Sequence, residues 1–218
     1  MRNLIGLWFV IFLIGMVFAV PFHFRSVEHY KLEERYGQEK GKRIGEVLGM
    51  LSGWGFFGFW IGVWFAPQER FLLPFLQDLL FIIPFLNLEV SILHAVLFIL
   101  FLIPGLCLGI GGVMQTGLKT AETHRTDRIV DSGLYSFVRH PQYLGGIFSH
   151  FALTFLLSGL YALLASPIIL VLNYAISWKE EVELVREFGE EYLRYQKSVP
   201  MLFPWRRRLR LHGVSNDN

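Results

Sequence analysis

Apolar positions along the chain gather in long unbroken runs, neither alternating as in half-buried strands nor confined to one helical face as in soluble bundles. Residues 3–24, 44–66 and 88–112 form three such runs, each long enough for a helix to cross a hydrocarbon core that needs about 20 residues. Residues 144–178 are apolar but too long for one span. Ser158-Gly159 and Ser166-Pro167 offer breaks there, so a hairpin of two short helices is predicted. Val17-Phe18-Ala19 can be read as a leader cleavage site, but only Arg2 precedes the first run and a basic cluster follows it, which favours a retained span. Gly45 and Gly49, Gly58 and Gly62, and Gly105 and Gly109 recur four apart, a spacing that lets helix backbones approach closely in lipid.

Residues 71–86 are apolar but carry Asp78, Pro74 and Pro84. Charge placement arbitrates, because Lys and Arg collect on the cytoplasmic side of short loops. Arg25, Lys31, Arg35, Lys40, Lys42 and Arg43 follow the first span, whereas only Arg70 follows the second. The other basic segments are residues 119–139 and the tail from Lys179; placing all of these inside requires that residues 71–86 do not cross. The expected fold is an all-α membrane protein of about five transmembrane helices, with a C-terminal hairpin and a cytoplasmic amphipathic helix. Its N-terminus lies outside, its C-terminus in the cytoplasm, and residues 71–86 in or near the outer interface of a plasma membrane or endoplasmic reticulum.

Composition agrees with that class: of 218 residues, 53% are hydrophobic and 17% charged, which suits a lipid-facing exterior. The single cysteine, Cys107, excludes an intramolecular disulfide or a multi-cysteine metal site. A net charge of +2 gives no reason to expect a nucleic-acid partner.

Two polar segments flank the hairpin and are assigned to the same side. The first runs from Asp131 to Gly145; the second begins at Lys179-Glu180-Glu181. Val182, Val185, Phe188 and Tyr192 recur at helical spacing among charges, which predicts an amphipathic helix leaving the membrane after Glu180 and Glu181. Taken singly, that acidic pair suits a helix N-terminus, and Arg139-His140-Pro141 suits a span boundary with proline in a first turn. Taken together, a fixed cation, an imidazole, two phenols (Tyr135 and Tyr143) and two carboxylates converge at one membrane edge, as a polar cofactor would require.

GLYSFVRHPQYLG (Gly133 to Gly145), a hydrophobic hairpin, and EEVELVREFGEEYLRYQKSVPMLFP (Glu180 to Pro204) resemble the integral membrane methyltransferases, which include isoprenylcysteine carboxyl methyltransferase and phospholipid methyltransferases. The resemblance covers roughly residues 125–204. It implies S-adenosylmethionine as methyl donor, held between the cytoplasmic ends of the last helices and covered by the C-terminal segment. By position it implies cofactor contacts from Gly133, Leu134, Tyr135, His140, Pro141, Tyr143, Gly145, Glu180 and Glu181; Leu134 stands where many relatives have proline. It divides the chain into N-terminal transmembrane helices (1–112) and a methyltransferase core (113–218).

The implied reaction is an in-line displacement that neutralises the donor's positive charge and needs no metal. Arg139 is the candidate for holding an acceptor or donor carboxylate at two points, and His140 for accepting a proton from a thiol or amine. The acceptor is lipophilic: a prenylcysteine carboxylate, a lipid amine or a small thiol. The alternative is a transporter or structural membrane subunit, which would mark its pathway with ionisable groups inside the spans. His94 and His150 are expected to be packed, hydrogen-bonded histidines, and Arg206 to Arg210 to hold the tail in the cytoplasm or against membrane lipids.

Overall fold

The structure, a computed structural model, describes residues 2–75, 79–84 and 87–204. In chain order the elements are α1 (Arg2–Ser26), α2 (His29–Tyr36), α3 (Gln38–Phe65), β1 (Leu80–Ile83), β2 (Leu88–Ser91), α4 (Ile92–Thr116), α5 (Leu118–Thr123), a 3-10 turn (Gly133–Ser136), α6 (Pro141–Leu157), α7 (Leu160–Phe188) and α8 (Glu190–Ser198). Four of these helices, α1, α3, α4 and α7, are long and apolar enough to cross a membrane. Large apolar side chains such as Phe18, Leu51, Phe65, Leu100 and Val171 stay exposed on them, as in a multi-pass membrane protein whose outer surface meets lipid.

The structure departs from the sequence expectations in four places. The hairpin exists and turns at Ser158-Gly159, with Ser158 in the left-handed region, but its arms are unequal: α6 has 17 residues and α7 has 29. Helix α7 continues through Pro167, since a proline costs one backbone bond that neighbouring helices can offset. The amphipathic segment is not a new helix starting at Glu180. Residues 180–188 are the last turns of α7, and the break falls at Gly189, whose φ of +56° and ψ of −130° suit glycine and not a residue with a Cβ. Finally, residues 88–91 pair with β1 as an antiparallel ribbon, from Leu80↔Ser91 to Ile83↔Leu88, and α4 starts only at Ile92, capped by Ser91 Oγ, which accepts from His94 N at 3.2 Å. The described part of residues 71–86 contains no helix. Residues 206–210 lie outside the described residues.

One apolar core joins α1, α3 and α7 through Met16, Trp60, Val63, Trp64, Ala162, Ala165 and Ile169. At its edge His150 Nδ1 accepts from Trp60 Nε1 (3.2 Å) and Trp64 Nε1 (3.0 Å), and Nε2 faces Ser166 Oγ at 3.1 Å. His94 Nδ1 meets Ser158 Oγ at 2.9 Å. Both histidines are thus packed and bonded within the fold.

Helices α4 and α6 form the closest pair. A Cβ on Gly145 would lie 2.7 Å from Gly109 Cα and 2.8 Å from Gly105 O, so only glycine permits this separation. Gly62 and Gly49 are also filled against neighbours, whereas Gly58 faces open space, contrary to the expectation of tight packing there. Gly145→Ala should therefore lower the melting temperature in detergent by about 3–10 °C, from an overpacking cost of about 1–3 kcal/mol. Gly58→Ala should leave it within about 2 °C, and equal effects would show that α4 and α6 are not in contact at Gly145.

Candidate functional site

The polar segments meet at one end of the bundle. The C-terminal end of α1 and the turn after it touch the end of α7, through His23 and Glu180 (3.2 Å) and through Glu28 and Lys179 (2.9 Å). Helix α4 ends against the start of α6, where Gln142 Nε2 donates to Thr116 Oγ1 and to the Tyr135 hydroxyl, both at 3.0 Å. Pro141 opens α6 at a position whose missing N–H costs nothing, and His140 precedes it as the cap residue. The chain after α8 straps across this end: Arg139 N donates to Pro200 O (2.9 Å) and His140 N to Met201 O (3.1 Å). Tyr195 adds a hydroxyl bond to Tyr135 O at 2.6 Å.

A polar cleft of ≈ 130 Å³ lies beneath this strap, lined among others by Tyr135, His140, Tyr143, Glu180, Tyr192 and Tyr195. Beside it, between α3, α4 and α6, is an apolar chamber of ≈ 660 Å³ with Trp54, Phe57, Trp60, Leu106 and Met114 in its walls. Ala121, His124, Gln142 and Tyr143 line both, so the two cavities adjoin.

The expected residues divide into three groups. Tyr135, Arg139, His140, Tyr143 and Glu180 line the cleft. Glu181 sits behind it, bonded to Arg139. Gly133, Leu134, Pro141 and Gly145 are not among its lining residues and act on the backbone: Gly133 has φ +59° at the 3-10 turn, Leu134 N donates to Gln115 Oε1 (3.1 Å), Pro141 packs near Gly112, and Gly145 meets Gly109.

Arg139 departs from its expected role. Its Nε and Nη2 hold Glu181 at 2.5 and 2.8 Å, while Nη1 donates to Gln196 O (3.0 Å) and Val199 O. Gln196 Nε2 also reaches Glu181 Oε2 at 2.9 Å. A guanidinium engaged on all three nitrogens clamps α6, α7 and the strap together rather than awaiting a ligand. His140 also differs from expectation. Burial opposes its charge, but Glu180, 3.5 Å from Nδ1, and Glu181, 3.3 Å from Nε2, outweigh burial and raise its pKa. It is a held cation rather than a ready base. Burial lowers the His124 pKa to about 3, so that ring stays neutral.

Sequence reasoning missed His124, Gln142 and Glu183 as lining residues, and treated Tyr192 only as part of an amphipathic face. Gln142 lies inside the quoted motif and was there to be found. His124 stands alone in a polar segment, with no local pattern to mark it.

Residues 109–191 match the phospholipid methyltransferase family. The chain is 42% identical over 74 residues to methanethiol S-methyltransferase 1 of Bradyrhizobium diazoefficiens, covering 34% of this chain and 25% of that protein. It is 34% identical over 105 residues to the human protein-S-isoprenylcysteine O-methyltransferase (44% and 32%), and 31% identical over 116 residues to that of Schizosaccharomyces pombe (45% and 46%). No solved structure matches the chain significantly. The C-terminal part of the chain is thus similar to membrane methyltransferases, and the chain spans between a quarter and about half of each of these relatives' own length.

Two consequences can be measured. Arg139→Ala leaves Glu181 buried without its countercharge, which should cost about 3–5 kcal/mol and lower the melting temperature by about 10 °C; an unshifted melt would mean that Arg139 is free for ligand. Glu28, bonded to Lys31, Lys179 and Arg25, has a pKa lowered to about 2 because those cations outweigh burial. Its stabilisation is present above about pH 4.5 and is lost as pH falls towards 2, on the order of 2–3 kcal/mol in all. Glu28→Gln should be less stable at pH 6 and flatten the melting-temperature decline between pH 5 and 3.

Proposed function

We propose that the protein transfers a methyl group from S-adenosylmethionine to a lipophilic acceptor at the cytoplasmic membrane face. The observation that carries this reading is the junction of a polar cleft with a large apolar chamber across a shared wall of His124, Gln142 and Tyr143. A water-soluble donor and a membrane-borne acceptor need two compartments that adjoin. When bound, S-adenosylmethionine supplies an electrophilic methyl group on a sulfonium cation.

The residues of the cleft fit such a donor. The lining carries three acids, Glu180, Glu183 and Glu187, against Arg128, Arg139 and His140; Arg139 is already taken by Glu181, and Glu183 by Lys179 and Arg186. Carboxylates in the lining suit a ligand with sulfonium and ammonium charges. Tyr135, Tyr192 and Tyr195 add aromatic rings, which favour cations at their faces.

The chamber supports an acceptor with a long apolar body, a prenylcysteine or lipid, over a small thiol. Tyr143, whose hydroxyl donates to Glu180, stands at the junction, where it excludes water and sets the line along which the two reactants meet. His140, held protonated, steadies negative charge there and is not required as a base when the acceptor is a carboxylate. The N-terminal helices (1–112) contribute most of the chamber wall and so select the acceptor, while 113–218 carry the donor site.

Detergent-solubilised protein should bind S-adenosylmethionine saturably, and Tyr192→Ala should weaken binding about tenfold, the value of roughly 1–2 kcal/mol of lost aromatic and cation contact. With radiolabelled donor, label should enter prenylcysteine analogues or lipids. Absence of donor binding would favour the transporter or structural-subunit alternative, and label confined to short thiols would overturn the long-chain reading.

A further inference from the structure

Three groups from three elements converge at the floor of the junction: His23 near the end of α1, His124 after α5, and Glu180 in α7. One nitrogen of each ring and one carboxylate oxygen lie within 4.8 Å of one another. His23 is buried, 4% exposed, and its Nε2 has no hydrogen-bond partner among the described residues, although Glu180 Oε1 is only 3.2 Å away. His124 Nδ1 is likewise buried without a partner. The two rings stand edge to face with centroids 4.2 Å apart. Buried ring nitrogens without a partner are costly and call for an explanation such as a bound ion.

We propose that His23, His124 and Glu180 bind a divalent transition-metal ion, of which Zn²⁺ fits the ligand set best. Two imidazoles and one carboxylate form a recognised zinc donor set, with a fourth position left open. Tetrahedral zinc with bonds of about 2.0–2.2 Å holds its ligand atoms about 3.3 Å apart, close to the observed separation of His23 Nε2 and Glu180 Oε1.

Charge gives an independent reason. Of the buried acids here, Glu181 pairs with Arg139, and Glu183 with Lys179 and Arg186. Glu180, with a side chain 15% exposed, meets only His23, His140 and Tyr143, and no Lys or Arg among the described residues. Its one cationic neighbour, His140, is shared with Glu181, so a metal ion would add the countercharge that a shared imidazolium leaves incomplete. The second lone pair of Oε1 remains for the Tyr143 hydroxyl, which holds the carboxylate in place as outer-shell donors do.

His23 lines the chamber, Glu180 the cleft and His124 both, so the open fourth position faces the junction, where water or the head group of an acceptor can occupy it. The metal site departs from the expectation of a metal-free reaction and makes Glu180 a ligand rather than a hydrogen-bond acceptor for the donor. It does not depend on the methyl-transfer reading.

The full chain, purified without a histidine tag, would be stripped with chelator, reloaded with Zn²⁺ alone and passed through a desalting column before elemental analysis. About one equivalent per chain is expected. Single His23→Gln and His124→Gln variants should each lower Zn²⁺ affinity at least tenfold, and Zn²⁺ should raise the melting temperature of the parent but not of the variants. Co²⁺ in place of Zn²⁺ should give the intense visible bands of a tetrahedral site, absent in both variants. Less than about a tenth of an equivalent in the parent, or zinc retained equally by both variants, overturns the proposal. Variants that fail to fold are replaced by His124→Asn, with the same readouts. S-adenosylmethionine binding measured on the same samples separates the two hypotheses: donor binding with no metal sinks only the site, and metal without donor binding sinks only the methyl-transfer reading.

Discussion

The ion pair between Arg139 and Glu181 is the constraint on which the site depends. Two charges, each with a side chain about 8% exposed, are costly to bury unless both are matched at every hydrogen-bonding position. Here the guanidinium meets both carboxylate oxygens and two carbonyls of the chain after α7. The pair therefore joins the start of α6, the end of α7 and the C-terminal strap in one geometry. Without it, the cleft would lose the strap that covers it, and His140 would lose one of the two carboxylates that hold its proton.

Around this clamp the molecule sorts charge by matching acids to bases. Glu28 gathers Arg25, Lys31 and Lys179; Glu183 gathers Lys179 and Arg186; Glu33 takes Arg125. These pairs lie where helices end, so they bind the α1–α2 turn to the end of α7 while leaving the lipid-facing surfaces apolar. Glu180 is the exception in the cluster, and it lies where the cleft and the chamber meet. A partly buried acid in the cleft lining, with imidazoles around it, is where chemistry would be expected.

The apolar chamber depends on a different constraint. Helices α4 and α6 touch at Gly109 and Gly145, and this contact sets their separation on one side, while α3 stands off and leaves a space walled by Trp54, Phe57 and Trp60. Gly145, read in the sequence as part of a cofactor motif, thus acts through helix packing. Its neighbour Tyr143 faces the cleft. One short stretch of α6 therefore sets both the size of one cavity and the lining of the other.

The sequence by itself determined the class of the protein, because runs of about 20 apolar residues have no stable place except in a bilayer. It also located the two motifs and the Ser158-Gly159 turn, since each follows from local composition. What only the tertiary structure decided are facts about distance. Arg139 is spent on Glu181, the amphipathic stretch after Glu180 is the end of α7 with its break at Gly189, and Gly58 faces open space though Gly62, spaced like it, does not. His23 and His124 meet Glu180 although nothing in their neighbourhoods marks them. Periodicity reports which face of a helix is apolar, but partners far apart in the chain are chosen by how the helices pack, and no local pattern encodes that choice.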